Sequence, residues 1–487
     1  MEFQSGKRFM YPKNNLKELE KQIKIDLENF NIPPKDWISS VNNNPPIVII
    51  GAGMSALCLA FALKIKGIPC VLFEKKEEGY EGAWLSPALM ENLRSPKNLT
   101  GPALISPSLT FQAWYKAQFG LTQWDELEKI PRVTWHRYLQ WFKTITAPKI
   151  HYKHELIDLI VERKSIKLTF KTENEEQIYA AEHCVLAMGM DSLSSPNIPN
   201  YASHLPQKFW EHSYAGTDYT RFKGKNIGIV GSSAGAMDSA ATALEHGAEV
   251  VEILCRTDDF PRVNRSKAAS NQGYLSSYAY WSDTQKWDFQ YYLKKEGTPP
   301  PFGSTLRVSK HENAYFNFNE TIDKVVIQSN KLHVYTEQHH FILDHLIFAT
   351  GFKLDWTKNI WLERLQHQVK KWKEVYTPEQ SQSYDEMGEY PYLSPSFEFT
   401  PKVDESLDVS RLYCFNYNAH MSQGPLVGMI GGVAKGAETL AEALAKKIYI
   451  EQYGTQINHV KASEDFELQG DEWITDKTYR NTKRKIE

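Results

Sequence analysis

Ile47-Val48-Ile49-Ile50-Gly51-Ala52-Gly53-Met54-Ser55-Ala56 is the stretch whose reading decides the fold. A short β-branched run breaks into Gly-x-Gly-x-x-Ala, and Ala56, Ala60 and Leu63 then recur on one helical face. Ile68-Pro69-Cys70-Val71-Leu72-Phe73 reads as a second buried strand, closed by Glu74. Strand, tight turn, helix, strand and acid make a βαβ dinucleotide-binding unit. Gly51 makes the turn, Gly53 lets backbone approach a pyrophosphate, and Ala56 lets the helix lie close to the strand. The helix N-terminus offers free N–H groups to phosphate, and Glu74 is placed to accept hydrogen bonds from an adenosine ribose. The run 47–65 is almost apolar enough for a membrane span, but its glycines divide it into a short strand and a helix.

At 487 residues the chain suits two or three lobes. A net charge of −3 leaves no footprint for nucleic acid or an anionic membrane. The five cysteines are scattered with no C-x-x-C, which argues against a disulfide framework, a zinc site or a dithiol pair, and no metal site is read. A reducing compartment fits that pattern, and residues 1–10 lack an apolar signal core, so a cytoplasmic location is expected. Trp, Tyr and Phe number 13, 25 and 23, enough to wall off an apolar pocket.

Ahead of the first strand, 16–30 has helical spacing of Leu16, Leu19, Ile23 and Leu27, and residues 1–45 read as a helical arm joined by an Asn/Pro linker. Aromatic amphipathic helices are expected over 111–119 and 135–142, and strands over 156–161, 167–170 and 184–188. The opening pattern then recurs. Asn226-Ile227-Gly228-Ile229-Val230-Gly231-Ser232-Ser233-Ala234-Gly235-Ala236 enters Gly-x-Ser-x-x-Ala, and the strand after its helix ends in Arg256. An acid there would favour the 2′-hydroxyl of NAD, whereas an arginine can pair with the 2′-phosphate of NADP. Residues 257–320 are aromatic and polar with little periodicity, either a lid or a structural subdomain. Later come Asp344-His345-Leu346-Ile347-Phe348-Ala349-Thr350-Gly351-Phe352, the Gly424-Pro425-Leu426 turn, and an Ala-rich helix over 434–450.

Two nucleotide units in one chain point to hydride transfer from a nicotinamide to a second cofactor, most simply a flavin. With Gly82-Ala83-Trp84 and the Asp344 to Phe352 run, the sequence resembles the single-component (class B) flavin-dependent monooxygenases over 46–450. That family includes flavin-containing monooxygenases, Baeyer–Villiger enzymes and ornithine/lysine N-hydroxylases. Ala83 stands where a glycine is usual, and only His212 survives of the Baeyer–Villiger fingerprint.

The resemblance implies an α/β protein with two Rossmann-like domains, the NADPH domain inserted into a discontinuous FAD domain. The expected boundaries are FAD-binding 46–205 and 341–455, NADPH-binding 206–340 with its aromatic insertion at about 257–320, and a polar tail at 456–487. Gly51, Gly53, Ala56, Glu74 and Trp84 are the FAD candidates, and Gly231, Ser233, Ala236 and Arg256 the NADPH candidates. Thr350 and Gly351, with Gly424 and Leu426, are expected to close over the same flavin. The resemblance also implies that reduced FAD adds O2 at C4a and passes one oxygen to a nucleophilic atom of a small molecule, an amine nitrogen foremost. Excluding water from that centre is then the protein's main task. Arg94 and Lys97 are the candidates for polar groups at the ring. Arg256-Thr257-Asp258-Asp259-Phe260-Pro261 with Asn264 or Asn271 resembles an N-hydroxylase segment, which brings Asn271 in as a third catalytic candidate. An NAD(P)H oxidase or reductase and a dinucleotide-binding redox sensor are the alternatives. Whether the chain forms a homo-oligomer stays open.

Overall fold

The structure is a computed structural model that describes residues 16–38, 45–402 and 407–473. Residues 42–44 of the linker read at 42–46, residues 1–15 of the arm and the end of the tail at 474–487 lie outside the described residues.

Two five-stranded sheets carry the chain. The first has the order Leu412–Cys414, His183–Leu186, Ile47–Ile50, Cys70–Phe73, Ile150–His151, every neighbouring pair parallel. Ile47–Ile50 is buried along its whole length, as expected of a parallel strand covered on both faces. The helix that follows, Met54–Ile65, is buried continuously from Ala56 to Leu63, because it lies between this sheet and the Val433–Glu451 helix. At 12 residues it is too short to span a bilayer. Among the described residues no helix is long and apolar enough to cross a membrane.

The second sheet has the order Ala314–Asn317, Val250–Leu254, Asn226–Val230, His345–Phe348, Trp210–His212, again parallel throughout. The chain is therefore mixed α/β with two parallel sheets. The repeat runs further than the two βαβ units legible in the sequence. Each sheet also receives a strand that follows a three-stranded antiparallel meander, built from Glu155–Val161, Ile166–Lys171 and Glu176–Ala181 in one case. The other meander comprises Ile322–Gln328, Lys331–Thr336 and His340–Leu343. The strand after each meander ends in Ala-x-Gly, at Ala187-Met188-Gly189 and Ala349-Thr350-Gly351.

The elements depart from the pattern read in the sequence in three places. The boundary at 341 assigns His345–Phe348 to the first lobe, but this strand pairs with Asn226–Val230 in the second sheet. Asn226 and Asp344 fix that register, the Asp344 N–H donating to the Asn226 carbonyl and the Asn226 N–H to the Asp344 carboxylate. An apolar run does not say which sheet it joins. The aromatic stretch 257–320 is mostly helical, with Asp283–Glu296 and Phe302–Ser309 its longest helices, and it contains the edge strand Ala314–Asn317. Its Trp287 packs with Trp372, Met387, Tyr390 and Met421, so it rests on a distant part of the chain. The tail begins with a further helix, Tyr453–Lys461, whose Gln456 donates to the Trp37 carbonyl at 2.6 Å. The N-terminal arm is the helix Leu16–Asn29, which buries Leu19 and Ile23.

Candidate dinucleotide sites

Both glycine turns are built alike. Gly51 sits at φ +101°, and a Cβ there would lie 2.8 Å from the Ala187 carbonyl oxygen. Gly231 sits at φ +137°, and a Cβ there would lie 2.6 Å from the Ala349 carbonyl oxygen. In each sheet the turn thus presses against the Ala-x-Gly end of the neighbouring strand. This relocates one expected group: Thr350 and Gly351 stand beside Gly231, and Met188-Gly189 takes the equivalent place beside Gly51. Thr350 is held there by its hydroxyl donating to the Asn197 carbonyl, and the Gly351 carbonyl accepts from His212 Nε2 at 2.9 Å.

The cradles fit dinucleotides by what they leave open. Gly53 is the N-cap of Met54–Ile65 and provides no side-chain cap, and the nearest atom to a Cβ there would be Gly82 Cα at 3.5 Å. Ser233 is the N-cap of Ala234–Glu245, yet its hydroxyl accepts no hydrogen bond from the first turn. A serine in that place normally caps, and its abstention leaves first-turn amides available to an anion. Ala56 and Ala236 are both fully buried, as close helix–strand packing requires. Glu74 is buried, with one carboxylate oxygen accepting from the Ala52 N–H at 2.8 Å and the other from the Lys76 N–H at 3.0 Å. Arg256 is exposed at the end of Val250–Leu254 and has no recorded partner among the described residues.

The loop 79–86 faces Gly53 and is held from several sides. Lys76 Nζ donates to the Gly82 carbonyl at 2.6 Å, and Arg132 donates to the Trp84 carbonyl. Glu81 is buried and accepts from Lys143 Nζ at 2.7 Å, Tyr152 Oη at 2.7 Å and Gln140 Nε2 at 2.8 Å. Burial alone would push its carboxyl up, but these bonds outweigh it and hold the pKa at about 2. Nothing in the sequence marks Glu81, since its partners come from the helix Arg132–Thr146 and from Tyr152, just after the strand Ile150–His151, some 60 to 70 residues further on.

A folded-state pKa below the unfolded value of about 4.3 means stability present above that pH and lost as pH falls towards 2. Glu81→Gln should remove this acid-dependent loss while lowering stability at pH 7 by about 3 kcal/mol, because the buried Lys143 loses its buried partner and keeps only the exposed Glu78, at 3.2 Å. Urea denaturation of both proteins at pH 7 and pH 3 would check it. Equal stability at pH 7 would contradict it.

The three catalytic candidates are separated. Lys97 Nζ donates to the Trp124 carbonyl at 2.6 Å and lies 4.8 Å from the Trp124 ring centroid. Asn271 is the N-cap of Gln272–Ser277, its side chain accepting from the Tyr274 N–H at 3.0 Å. Arg94 Nη2 donates to the Pro299 carbonyl at 2.8 Å, at the junction of the two lobes. Gly424 is covered by the Tyr278 ring, 2.5 Å from where a Cβ would stand, and Tyr278 Oη donates to the Met421 carbonyl at 3.1 Å. Leu426 follows in a buried turn whose carbonyl faces Gly436. Met54–Ile65 reaches this region through Cys58, whose Sγ contacts the Pro102 and Val433 carbonyls. No group of three or more His, Cys, Asp or Glu among the described residues could hold a metal.

Residues 45–275 match the family described as pyridine nucleotide-disulphide oxidoreductase. The chain is 28% identical over 444 residues to the FAD-dependent urate hydroxylase of Xanthomonas campestris pv. campestris, covering 90% of this chain and 94% of that protein. Among solved structures it resembles L-lysine 6-monooxygenase from Pseudomonas syringae, with a TM-score of 0.65, 13% identity, and 83% and 100% of the two chains covered. It also resembles the Kutzneria sp. 744 ornithine N-hydroxylase, whose structure holds reduced FAD, NADP+ and L-ornithine, with a TM-score of 0.63, 14% identity, and 83% and 99% covered. The motif-based resemblance to flavin-dependent monooxygenases is borne out by these relatives, and with it the expectation of an oxidoreductase built on FAD.

Proposed function

We propose that the chain is an FAD-dependent monooxygenase that takes electrons from NADPH and inserts one atom of O2 into a small nitrogen-rich molecule. The observation that carries this reading is the doubled cradle: two parallel sheets, each with an uncapped helix behind a positive-φ glycine. The almost full-length likeness to a flavin-dependent hydroxylase supports oxygen insertion over simple electron transfer.

In this reading 46–205 and the chain from about 352 to 455 make the FAD domain, and 206–351 makes the nicotinamide domain. Bound FAD would supply the electron acceptor and the centre that activates O2. Gly51, Gly53 and Ala56 receive its pyrophosphate at the first-turn amides of Met54–Ile65, with Gly82 and Trp84 on the facing loop. Glu74, already oriented by two backbone N–H groups, turns its remaining lone pairs to the ribose hydroxyls. Gly231, Ser233 and Ala236 do the same for NADPH beside Thr350 and Gly351, and Arg256 pairs with the 2′-phosphate. The turn at Gly424 and Leu426, latched by Tyr278, excludes water from the flavin end. Arg94 is the stronger candidate for a polar group at the reacting centre, because Lys97 and Asn271 are engaged in helix caps.

Two substrate classes follow from two observations. Resemblance to the amine hydroxylases favours an amine nitrogen, whereas identity of 28% to a urate hydroxylase against 13–14% to amine hydroxylases favours a purine-type ring. The heavier weight falls on the ring. The test is to reduce the purified yellow protein anaerobically with NADPH, admit O2, and compare urate with ornithine, lysine and cadaverine for a product one oxygen heavier. Peroxide without oxygenated product would make it an oxidase, and no reduction by NADPH would make it a sensor.

Arg256→Ala is expected to raise the KM for NADPH by roughly 10- to 100-fold, the range for loss of charge-assisted hydrogen bonds. The KM for NADH should stay within about 2-fold, since NADH has no 2′-phosphate for the guanidinium to meet. Initial rates with both dinucleotides decide it, and equal effects would remove Arg256 from the site.

A further inference from the structure

A strap, residues 82–94, runs from the first cradle to the core of the second lobe. At its start Gly82 faces Gly53. Arg132 then holds two of its carbonyls, that of Trp84 and, through Nε at 2.8 Å, that of Met90. Midway the strap leaves the first lobe. A Cβ on Gly216 would meet Ser86 Oγ at 2.7 Å, and Leu89 packs against the hydrophobic core of the second lobe. At its end Arg94 donates to the Pro299 carbonyl.

The strap meets a charge cluster between the second nucleotide helix and Phe302–Ser309, in which Asp238 is buried, Arg307 half-buried and Glu245 exposed. Arg307 Nη1 lies 3.4 Å from the Leu89 carbonyl, which accepts from it, and 3.7 Å from the Asp238 carboxylate. Its other nitrogens grip Glu245 at 3.0 and 2.7 Å, so the guanidinium is fixed in orientation. Asp238 is buried on Ala234–Glu245, the helix whose first turn lies at the second cradle, and it accepts from Ser304 Oγ at 2.7 Å. Burial pushes its carboxyl up, while Ser304 and the charges of Arg307, Arg94 and Arg132 pull it back. The charges of Arg94 and Arg132 act on it from the first lobe. Neither Asp238 nor Arg307 is assigned a contact with either dinucleotide.

We infer that Asp238 and Arg307 are positioning residues that clamp the second nucleotide helix onto the 82–94 strap and so fix the distance between the nicotinamide and flavin sites. A hydride passes only over a short, oriented gap, and a displacement of about 1 Å can cost about 100-fold in rate. The strap is one piece of backbone joining the first cradle to the second lobe, and the Arg307–Asp238–Glu245 cluster fastens it at Leu89.

The inference rests on both cradles being dinucleotide sites, and the wild-type protein tests that separately. Failure of wild type to hold FAD or to be reduced by NADPH would remove the proposed function, whatever the variants do. With wild type active, Arg307→Met, Arg307→Lys and Asp238→Asn are compared as holoenzymes. Three quantities are measured: FAD content, the Kd for unreactive NADP+, and the single-turnover rate of anaerobic FAD reduction at saturating NADPH. FAD content and NADP+ affinity should stay within about 2-fold of wild type, while reduction slows roughly 10- to 100-fold in Arg307→Met and Asp238→Asn. Arg307→Lys should recover part of the rate by restoring the charge. Unchanged reduction, or slowing that only tracks lost NADP+ affinity, overturns the inference. So does failure of both Arg307→Met and Asp238→Asn to fold, since the cluster would then serve stability.

Discussion

Gly51→Ala protein is expected to purify colourless and destabilised, whereas Gly231→Ala protein should stay yellow and resist reduction by NADPH. Both substitutions put a Cβ on a backbone of positive φ, +101° and +137°, where an L side chain is strained. Both also press that Cβ to 2.8 and 2.6 Å from a carbonyl oxygen of the neighbouring strand. Neither obstacle is a flexible side chain that could turn away. Strain and overpacking together come to about 2–6 kcal/mol, a large share of the stability of a typical domain. The two turns nevertheless fail differently, because each serves its own sheet. Flavin absorbance per protein, melting with and without added FAD, and anaerobic reduction separate the outcomes. Loss of the same cofactor by both variants would refute the division of the two cradles.

What the sequence disclosed follows the range of the forces involved. The two βαβ units were legible because their cause is local: β-branched runs, glycine turns and small-residue helices lie within some 30 residues of one another. The helix Phe111–Phe119 was legible for the same reason, its spacing being written in the segment itself. Thr350 and Gly424 were expected to close over one flavin, whereas Ala349, next to Thr350, lies against the Gly231 turn of the second sheet. Which sheet His345–Phe348 joins depends on Asn226, more than a hundred residues earlier, and no periodicity records that pairing. The insertion shows another limit. The capping box at Ser282 and Gln285 is local, but the burial that stabilises its helix comes from Trp372 and Met421. Glu81 and Asp238 are the extreme case, ordinary acids in sequence whose environments are assembled from remote elements.

Gly432→Ala should be among the most damaging changes in the chain, although conformational reasoning alone predicts the opposite. Gly432 has φ −104° and ψ −17°, open to any residue, so exchange for alanine would normally stabilise by restricting the unfolded chain. Here a Cβ would stand 1.8 Å from the Pro425 carbonyl oxygen and 2.7 Å from its carbon. The Gly424 turn would have to move, and it is pinned from the other side by the Tyr278 ring. Overpacking of this kind costs at least about 3 kcal/mol. The neighbouring Gly431→Ala is the control. Its Cβ would meet only the Leu99 methyls at 3.8 and 3.9 Å, an ordinary contact, so its effect should stay within about 1 kcal/mol. Urea denaturation measures both, and a neutral Gly432→Ala would show that the turn yields freely. Catalysis adds a second reading. If this turn keeps water from the flavin, folded Gly432→Ala should release more hydrogen peroxide per NADPH consumed, while Gly431→Ala stays as tightly coupled as wild type. Equal peroxide release from the two variants would leave the turn a purely structural element and move the water barrier elsewhere.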